Sequence, residues 1–190
     1  MKIKHMDGFE IRNTMDADFG VIGSHKTYPY IKRGEIWFDE RYKKEKSHFL
    51  KVHLYELKLL NKMPYEKARK FVKKKFIQKN KVGRIPKYIT KVGQYRGFKV
   101  KYVDGRIIRQ FLDPKFILGQ HGFLRKDIGK KEIWIDIRQD KREYKYTLIH
   151  EYKEAILMRK GMEYNDAHDY AIAAEKAARR KDGHAHYYKD

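Results

Sequence analysis

Four side chains that can bind or activate a ligand lie close together near the end of this 190-residue chain. His150 and Glu154 are four residues apart in a stretch that predicts a helix, so they share one face of it. Glu151 lies between them, and His168 follows on a second predicted helix. Two imidazoles and one carboxylate form a ligand set for a divalent metal with an open position for water. The spacing therefore predicts a metal site with Glu151 as the general base.

The same segment resembles the small zincin-like metallopeptidases of phages and mobile elements. A strand ending in IWID, a polar loop and a helix with TLIHE look like the edge strand and active-site helix of that family, over residues 131–180. The resemblance implies peptidase activity and zinc, with His150 as the first ligand, Glu151 as the base and His168 as the third ligand. Glu154 stands where the HExxH motif of the family has its second His. The ligand set also suits Fe or Mn, so the metal stays open.

A solvated amphipathic helix is the alternative interpretation of this segment, since charged i, i+4 pairs are common on exposed helix faces. The broad apolar side of the helix predicts that His150 and Glu154 lie outside the main core. This apolar side consists of Leu148, Ile149, Tyr152, Ala155 and Ile156.

An internal repeat sets the elements that must position these residues. Sliding the sequence by 97 residues aligns MKIKHMDGFEIRNTMDADF with FKVKYVDGRIIRQFLDPKF, and GEIWFDERYKK with KEIWIDIRQDK, without a gap. The repeat predicts a tandem duplication, with a first copy at residues 1–80 and a second at residues 98–181. In the first copy the positions of the four side chains hold His53, Leu54, Leu57 and Arg69, so only one His is kept.

Each copy predicts the same order of elements, namely a β-hairpin, a loop, a strand and two helices. The hairpins turn at Asp7-Gly8 and at Asp104-Gly105, because this dipeptide suits a tight turn between alternating strands. The first helix of each pair begins near Ser47 or Tyr144. The fold class is therefore α+β. The repeated strand predicts buried tryptophans, Trp37 and Trp134, and aspartates that cap the following turn, Asp39 and Asp136.

Positive charge is the strongest feature of the composition, with 46 Lys and Arg against 25 Asp and Glu and a net charge of +21. Residues 62–101 hold fifteen of the basic residues and one acid, and they include a predicted linker at 81–97. Such a segment favours a nucleic-acid partner. The helix pattern predicts that Phe71 and Phe76 are buried, and it leaves Tyr88 and Tyr95 free to stack on bases. The predicted contacts are Lys70, Lys73, Lys74, Lys75, Lys79, Lys81, Arg84, Lys87, Lys91 and Arg96.

The remaining composition limits the class of protein. No Cys is present, which excludes disulfides and thiolate chemistry, and no apolar run has the roughly 18 residues that span a bilayer. We expect a cytoplasmic protein with a polar tail at residues 182–190. Three interpretations stay open: a metal-dependent hydrolase, a nucleic-acid-binding protein, and a structural protein of a phage, mobile element or ribonucleoprotein assembly.

Overall fold

The computed structural model describes residues 1–77 and 85–184, and these residues contain two small mixed sheets with helices packed on them. The α+β class is confirmed. The strands are β1 (Lys2–Met6), β2 (Ile22–Ser24), β3 (Glu35–Asp39), β4 (Ile89–Tyr95), β5 (Phe98–Val103), β6 (Gly119–His121) and β7 (Glu132–Asp136). The helices are α1 (Gly8–Thr14), α2 (Lys46–Leu60), α3 (Tyr65–Phe76), α4 (Gly105–Phe111), α5 (Tyr144–Arg159) and α6 (Tyr164–Lys181).

The two sheets share one pattern of pairing. The first has the order β1-β3-β2 and the second the order β4-β5-β7-β6. In each, the first strand of the repeat is parallel to its third strand, with Lys2 opposite Glu35 and Lys99 opposite Glu132. The short middle strand is antiparallel to the third in both sheets. The 97-residue offset of the sequence therefore coincides with a repeat of element order and strand register.

The predicted β-hairpins are wrong in both copies. After Asp7 and after Asp104 the chain enters α1 and α4 instead of turning back as a strand. The reason lies outside the local sequence, because the partner of β1 is β3, about thirty residues further along the chain. In α1 the side chains of Phe9, Ile11 and Arg12 are all buried, and Phe9 and Arg12, three residues apart, share one face of the helix.

The chain divides into two compact units that do not follow the two copies. Of the described residues, the first unit takes 1–8, 20–77, 85–88 and 105–116, and the second takes 9–19, 89–104 and 117–184. Helix α1 therefore belongs to the unit of the second sheet, and α4 belongs to the unit of the first sheet. The short helix after the first strand of each sequence repeat thus lies in the unit that holds the other sheet, an arrangement called here the exchange of α1 and α4.

A buried arginine anchors each exchanged helix in its unit. In the second unit, Arg12 of α1 donates from Nε to Glu143 at 2.6 Å and from Nη1 to the carbonyl of Phe19 at 3.0 Å. In the first unit, Arg109 of α4 donates to both carboxylate oxygens of Glu45, at 2.9 and 2.7 Å. Both guanidiniums are almost fully buried, so these charge-assisted bonds hold the exchanged segments in place.

The core of the second unit consists of alternate residues of β5 and β7 packed on α5. Phe98, Val100, Ile133, Ile135 and Ala155 form one buried cluster. Trp134 of β7 is also buried, as predicted, whereas Trp37 at the matching register of β3 is only half-buried. The prediction of capping aspartates is confirmed, since Asp39 and Asp136 each accept a bond from the backbone N–H two residues later.

Two further expectations meet different outcomes in the basic segment. Part of the predicted linker is strand β4, which pairs antiparallel with β5. On α3, Ala68 and Val72 are fully buried, but the prediction that Phe71 is buried is wrong, because its side chain is 42% exposed.

Among the described residues, no helix is both long and apolar enough to cross a membrane.

Candidate metal centre

Helices α5 and α6 carry the predicted ligands on facing surfaces. They are joined by a tight turn at Gly161, whose φ of +93° lies in the left-handed region that glycine adopts at low cost. His150 and Glu154 lie one turn apart on α5, and His168 lies near the start of α6. The turn thus places the imidazole of His168 opposite His150 and Glu154.

The three predicted ligands converge in the second unit. His150 Nε2 lies 3.1 Å from His168 Nδ1, and Glu154 Oε2 lies 2.8 Å from His168 Nδ1 and 3.5 Å from His150 Nε2. Bonds of about 2.0–2.1 Å in a tetrahedral zinc site separate neighbouring ligand atoms by roughly 3.3 Å. The three atoms therefore already have the spacing that one small divalent cation requires.

Each imidazole is oriented by a carboxylate on its other nitrogen. His150 Nδ1 is 2.9 Å from Glu175 Oε2, and His168 Nε2 is 3.2 Å from Asp18 Oδ1. With a proton held on each outer nitrogen, loss of the inner protons from His150 Nε2 and His168 Nδ1 would leave both lone pairs available to a metal. Such carboxylate–histidine pairs fix the tautomer and the ring orientation of metal-binding histidines.

A network of buried ion pairs supports His150 through Glu175. Arg179 donates to Glu175 Oε1 at 2.7 Å and to Glu143 Oε2 at 2.5 Å, and Glu143 in turn binds Arg12. Burial by itself raises the pKa of Glu175, but the hydrogen bond with His150 and the charge of Arg179 outweigh it, so the net pKa is lowered. Glu175 therefore stays ionised and holds the proton on His150 Nδ1.

A second trio, His121, Glu151 and Glu154, also brings three potential ligand atoms within 4.8 Å of one another. The hydrogen bonds of His121 argue against a second ion. Its Nδ1 accepts the backbone N–H of Phe123 at 3.1 Å, so the neutral ring carries its proton on Nε2, which donates to Glu154 Oε1 at 2.7 Å. For Nε2 to bind a metal, the ring proton would have to move to Nδ1, which already accepts the Phe123 N–H, and His121 therefore positions the Glu154 carboxylate.

We expect His121→Ala to weaken metal binding about 10- to 100-fold without removing it, because the ligand Glu154 loses the donor that orients it. Competition titration against a chromophoric chelator measures this affinity. His121→Gln, which can keep a donor near Glu154, is expected to recover part of the loss. Complete loss of metal in His121→Ala would contradict this role and make His121 a ligand.

Glu151 lies beside the ligands without being one of the first three. It is buried, and its Oε2 has no hydrogen-bond partner in the described part of the chain. Burial and the neighbouring charge of Glu154 raise the pKa of Glu151 to about 7. An unpartnered, buried carboxylate oxygen is costly, so it indicates a ligand or water that completes its hydrogen bonds.

Protons on the ligand side chains compete with a metal ion for the site. Burial alone lowers the pKa of His168, but its hydrogen bonds to Asp18 and Glu154 raise it to about 9. Burial raises the pKa of Glu154, yet the bonds from His121, His150 and His168 lower it overall. A metal must therefore displace protons from the imidazoles, and its affinity should increase with pH.

The corresponding place in the first unit contains protein cations. Arg69, which matches His168, binds Asp113 at 3.2 Å, and Lys115, which matches Asp18, binds Glu56 at 2.6 Å. His53, which matches His150, is buried with no partner for its Nε2 among the described residues. The first unit thus keeps one imidazole, has the ion-paired Arg69 in place of His168, and has Leu57 in place of Glu154.

Acid should destabilise the protein through His53, because burial lowers its pKa to about 4. Above pH of about 6.5 the ring is neutral in both states and contributes nothing. Below it the unfolded chain binds a proton that the folded state excludes, so the free energy of unfolding falls by about 2–4 kcal/mol by pH 4. Urea unfolding of wild type and His53→Leu at pH 7 and 4.5 tests this. Equal pH dependence in both proteins would contradict it.

The residues predicted to contact nucleic acid are divided between the units. Lys70, Lys73, Lys74 and Lys75 are exposed on α3, and Lys87 is exposed nearby in sequence, all in the first unit. Lys91 and Arg96 are exposed on or beside β4, in the second unit. The other three predicted contacts, Lys79, Lys81 and Arg84, lie outside the described residues.

Sequence reasoning missed several groups of the site, namely Asp18, His121, Glu175 and Arg179. The expectation that Glu154 lies outside the core is wrong, since its side chain is only 2% exposed. The resemblance also placed β7 at an edge of the sheet, but β7 lies between β5 and β6, and β6 is the edge strand. One signal for Asp18 was present, because the 97-residue offset aligns it with a residue of opposite charge, Lys115.

No protein family, curated protein or solved structure matches this chain.

Proposed function

We propose that the protein is a metal-dependent hydrolase of the peptidase type, with one divalent metal, zinc in the first place, held by His150, Glu154 and His168. The observation that supports this most is the convergence of three ligand atoms within 3.5 Å, with both imidazoles oriented from outside by carboxylates. A helix with charged residues for solubility alone would not bury Glu154 or bring two histidines into contact.

The chain's own residues suit each part of hydrolysis. A metal at three protein ligands supplies a polarising charge and an open position for water. Glu151 has a free oxygen next to the ligand set and would act as the base that takes a proton from water. His121 and Glu175 hold the ligand side chains in position. Tyr164 stacks on His168 at 5.4 Å and shields one face of that ring.

The decisive experiment combines metal analysis with one conservative variant. Elemental analysis of the purified chain should find about one metal per molecule, and Glu151→Gln should keep that metal. Hydrolysis of fluorogenic peptide mixtures by the zinc-loaded protein should fall about 100-fold or more in Glu151→Gln, because a general base contributes roughly 10²–10⁴ in rate.

Two results would contradict the proposal. Absence of metal after dialysis against Zn, Mn and Fe would remove the site itself. A metal-loaded protein whose hydrolysis is the same in wild type and Glu151→Gln would make the metal structural, and the preparation's activity a contaminant.

A further inference from the structure

The exposed side of α3 carries an unusual combination of charge and aromatic surface. Its twelve residues, YEKARKFVKKKF, include six basic residues and one acid. Ala68 and Val72 are the residues that pack inward, and both are fully buried. The largest apolar side chain in the middle of the helix, Phe71, faces outward instead and is 42% exposed.

Helical spacing places three lysines in the same row as this phenylalanine. Lys67, Lys70, Phe71 and Lys74 follow the i, i+3, i+4, i+7 pattern, so they form one stripe along the helix, called here the Phe71 stripe. All four side chains are exposed. Lys75, at the edge of the stripe, lies 3.8 Å over the ring of Tyr55, which fixes a further positive charge beside it.

Helix stability explains only part of this arrangement. Cations in the last turn are favourable at the negative end of a helix dipole, which accounts for Lys73, Lys74 and Lys75. Lys67 and Lys70 lie earlier, where that effect is absent. A single exposed apolar residue is ordinary. An aromatic residue surrounded by lysines, however, matches both parts of an unpaired nucleotide, because the lysines suit its phosphate and the ring suits the face of its base.

We propose that the Phe71 stripe binds single-stranded nucleic acid, with the lysines on successive phosphates and Phe71 stacked on an unpaired base. Charge complementarity favours a polyanion, and the aromatic ring favours a single strand over a duplex, whose bases are already stacked on one another. The stripe lies wholly within the first unit, and this function is independent of the metal centre.

The test uses the full chain and fluorescence anisotropy with labelled dT and rU 20-mers at 50 mM salt. Binding of the wild type should fall with a log–log salt slope of about −2, since three lysines neutralise about three phosphates at roughly −0.7 each for single strands. Lys67→Glu, Lys70→Glu and Lys74→Glu combined should weaken binding at least tenfold. Phe71→Ala should weaken it about five- to 100-fold, and Phe71→Trp should retain it.

A matched control separates the stripe from the overall charge. Lys99→Glu, Lys126→Glu and Lys160→Glu combined change three exposed lysines of the second unit and alter the net charge by the same amount. This control should bind within about threefold of wild type. Circular dichroism should show that all variants keep their helix content.

Five results would overturn the proposal. Binding of neither oligonucleotide by the wild type would remove the nucleic-acid site, and an equal loss of binding in both triple variants would indicate unspecific attraction by the overall charge. Binding of a 20-bp duplex as tightly as of the single strands, or no effect of Phe71→Ala, would remove the stacking contact. Displacement of the oligonucleotide by poly-glutamate at equal charge concentration would indicate an acidic protein partner instead.

Discussion

Replacing Glu143 by Gln is expected to lower the free energy of unfolding by about 3–5 kcal/mol, which is the cost of breaking a buried ion pair by removing one partner. Glu143 is 1% exposed and is shared by Arg12 at 2.6 Å and Arg179 at 2.5 Å. A neutral amide cannot compensate two buried guanidiniums. Urea denaturation of wild type and variant, followed by circular dichroism, measures the loss.

The first unit offers a matched control. Glu45→Gln removes the carboxylate that binds Arg109, but the Glu45 side chain is 10% exposed and serves one arginine instead of two. We therefore expect a smaller loss. Glu163→Gln, at an exposed position without a side-chain cap bond, should change the stability by less than about 0.5 kcal/mol. If Glu143→Gln were no more destabilising than Glu163→Gln, the network of buried ion pairs would have no structural importance.

Replacing either His150 or His168 by Ala should abolish metal binding, since two ligands rarely hold a labile divalent ion. With zinc at about 100 times its dissociation constant, the wild type should gain about 2.7 kcal/mol of stability. For a chain of this size the gain corresponds to about 5–10 °C in melting temperature. Thermal unfolding with and without zinc should show this shift in the wild type and none in either variant.

The internal repeat again supplies the control for this experiment. His53→Ala changes the histidine that matches His150 at the 97-residue offset, in the unit where Arg69 stands in place of His168 and Leu57 in place of Glu154. This variant should keep the full zinc-induced shift. A shift that disappears in His53→Ala, or persists in both His150→Ala and His168→Ala, would show that zinc binds elsewhere.

The sequence predicts which side chains converge at the candidate site because their relation is local. The four-residue spacing of His150 and Glu154 sets their common face by helix geometry alone, and His168 follows one tight turn later. Asp18 could not be predicted, because it approaches His168 across 150 residues of chain. His121 comes from a three-residue strand with too few positions to show a pattern, and its role depends on the Phe123 backbone N–H.

The elements of the fold also divide into those that the local sequence predicts and those that depend on distant contacts. The helices that begin at Lys46 and Tyr144 lie within one residue of their predicted starts, since periodicity and turn residues define them. The hairpin prediction fails because an Asp-Gly dipeptide suits the turn between two strands and also the turn between a strand and a helix. A helix forms here because β1 pairs with β3 and because Arg12 is buried in the other unit. Neither contact can be predicted from a short stretch of sequence.

The exchange of α1 and α4 determines the order in which a newly synthesised chain can complete its two halves. Arg12 emerges from the ribosome 131 residues before Glu143 and cannot form its ion pair until then. At about 5–20 residues per second this delay is on the order of ten seconds, during which Phe9 and Ile11 have no buried site. The first unit can complete its contacts once residue 116 has been made, whereas the second also needs the residues up to 184. We therefore expect the first unit to fold earlier during translation, and α1 to pack only after Glu143 has been made.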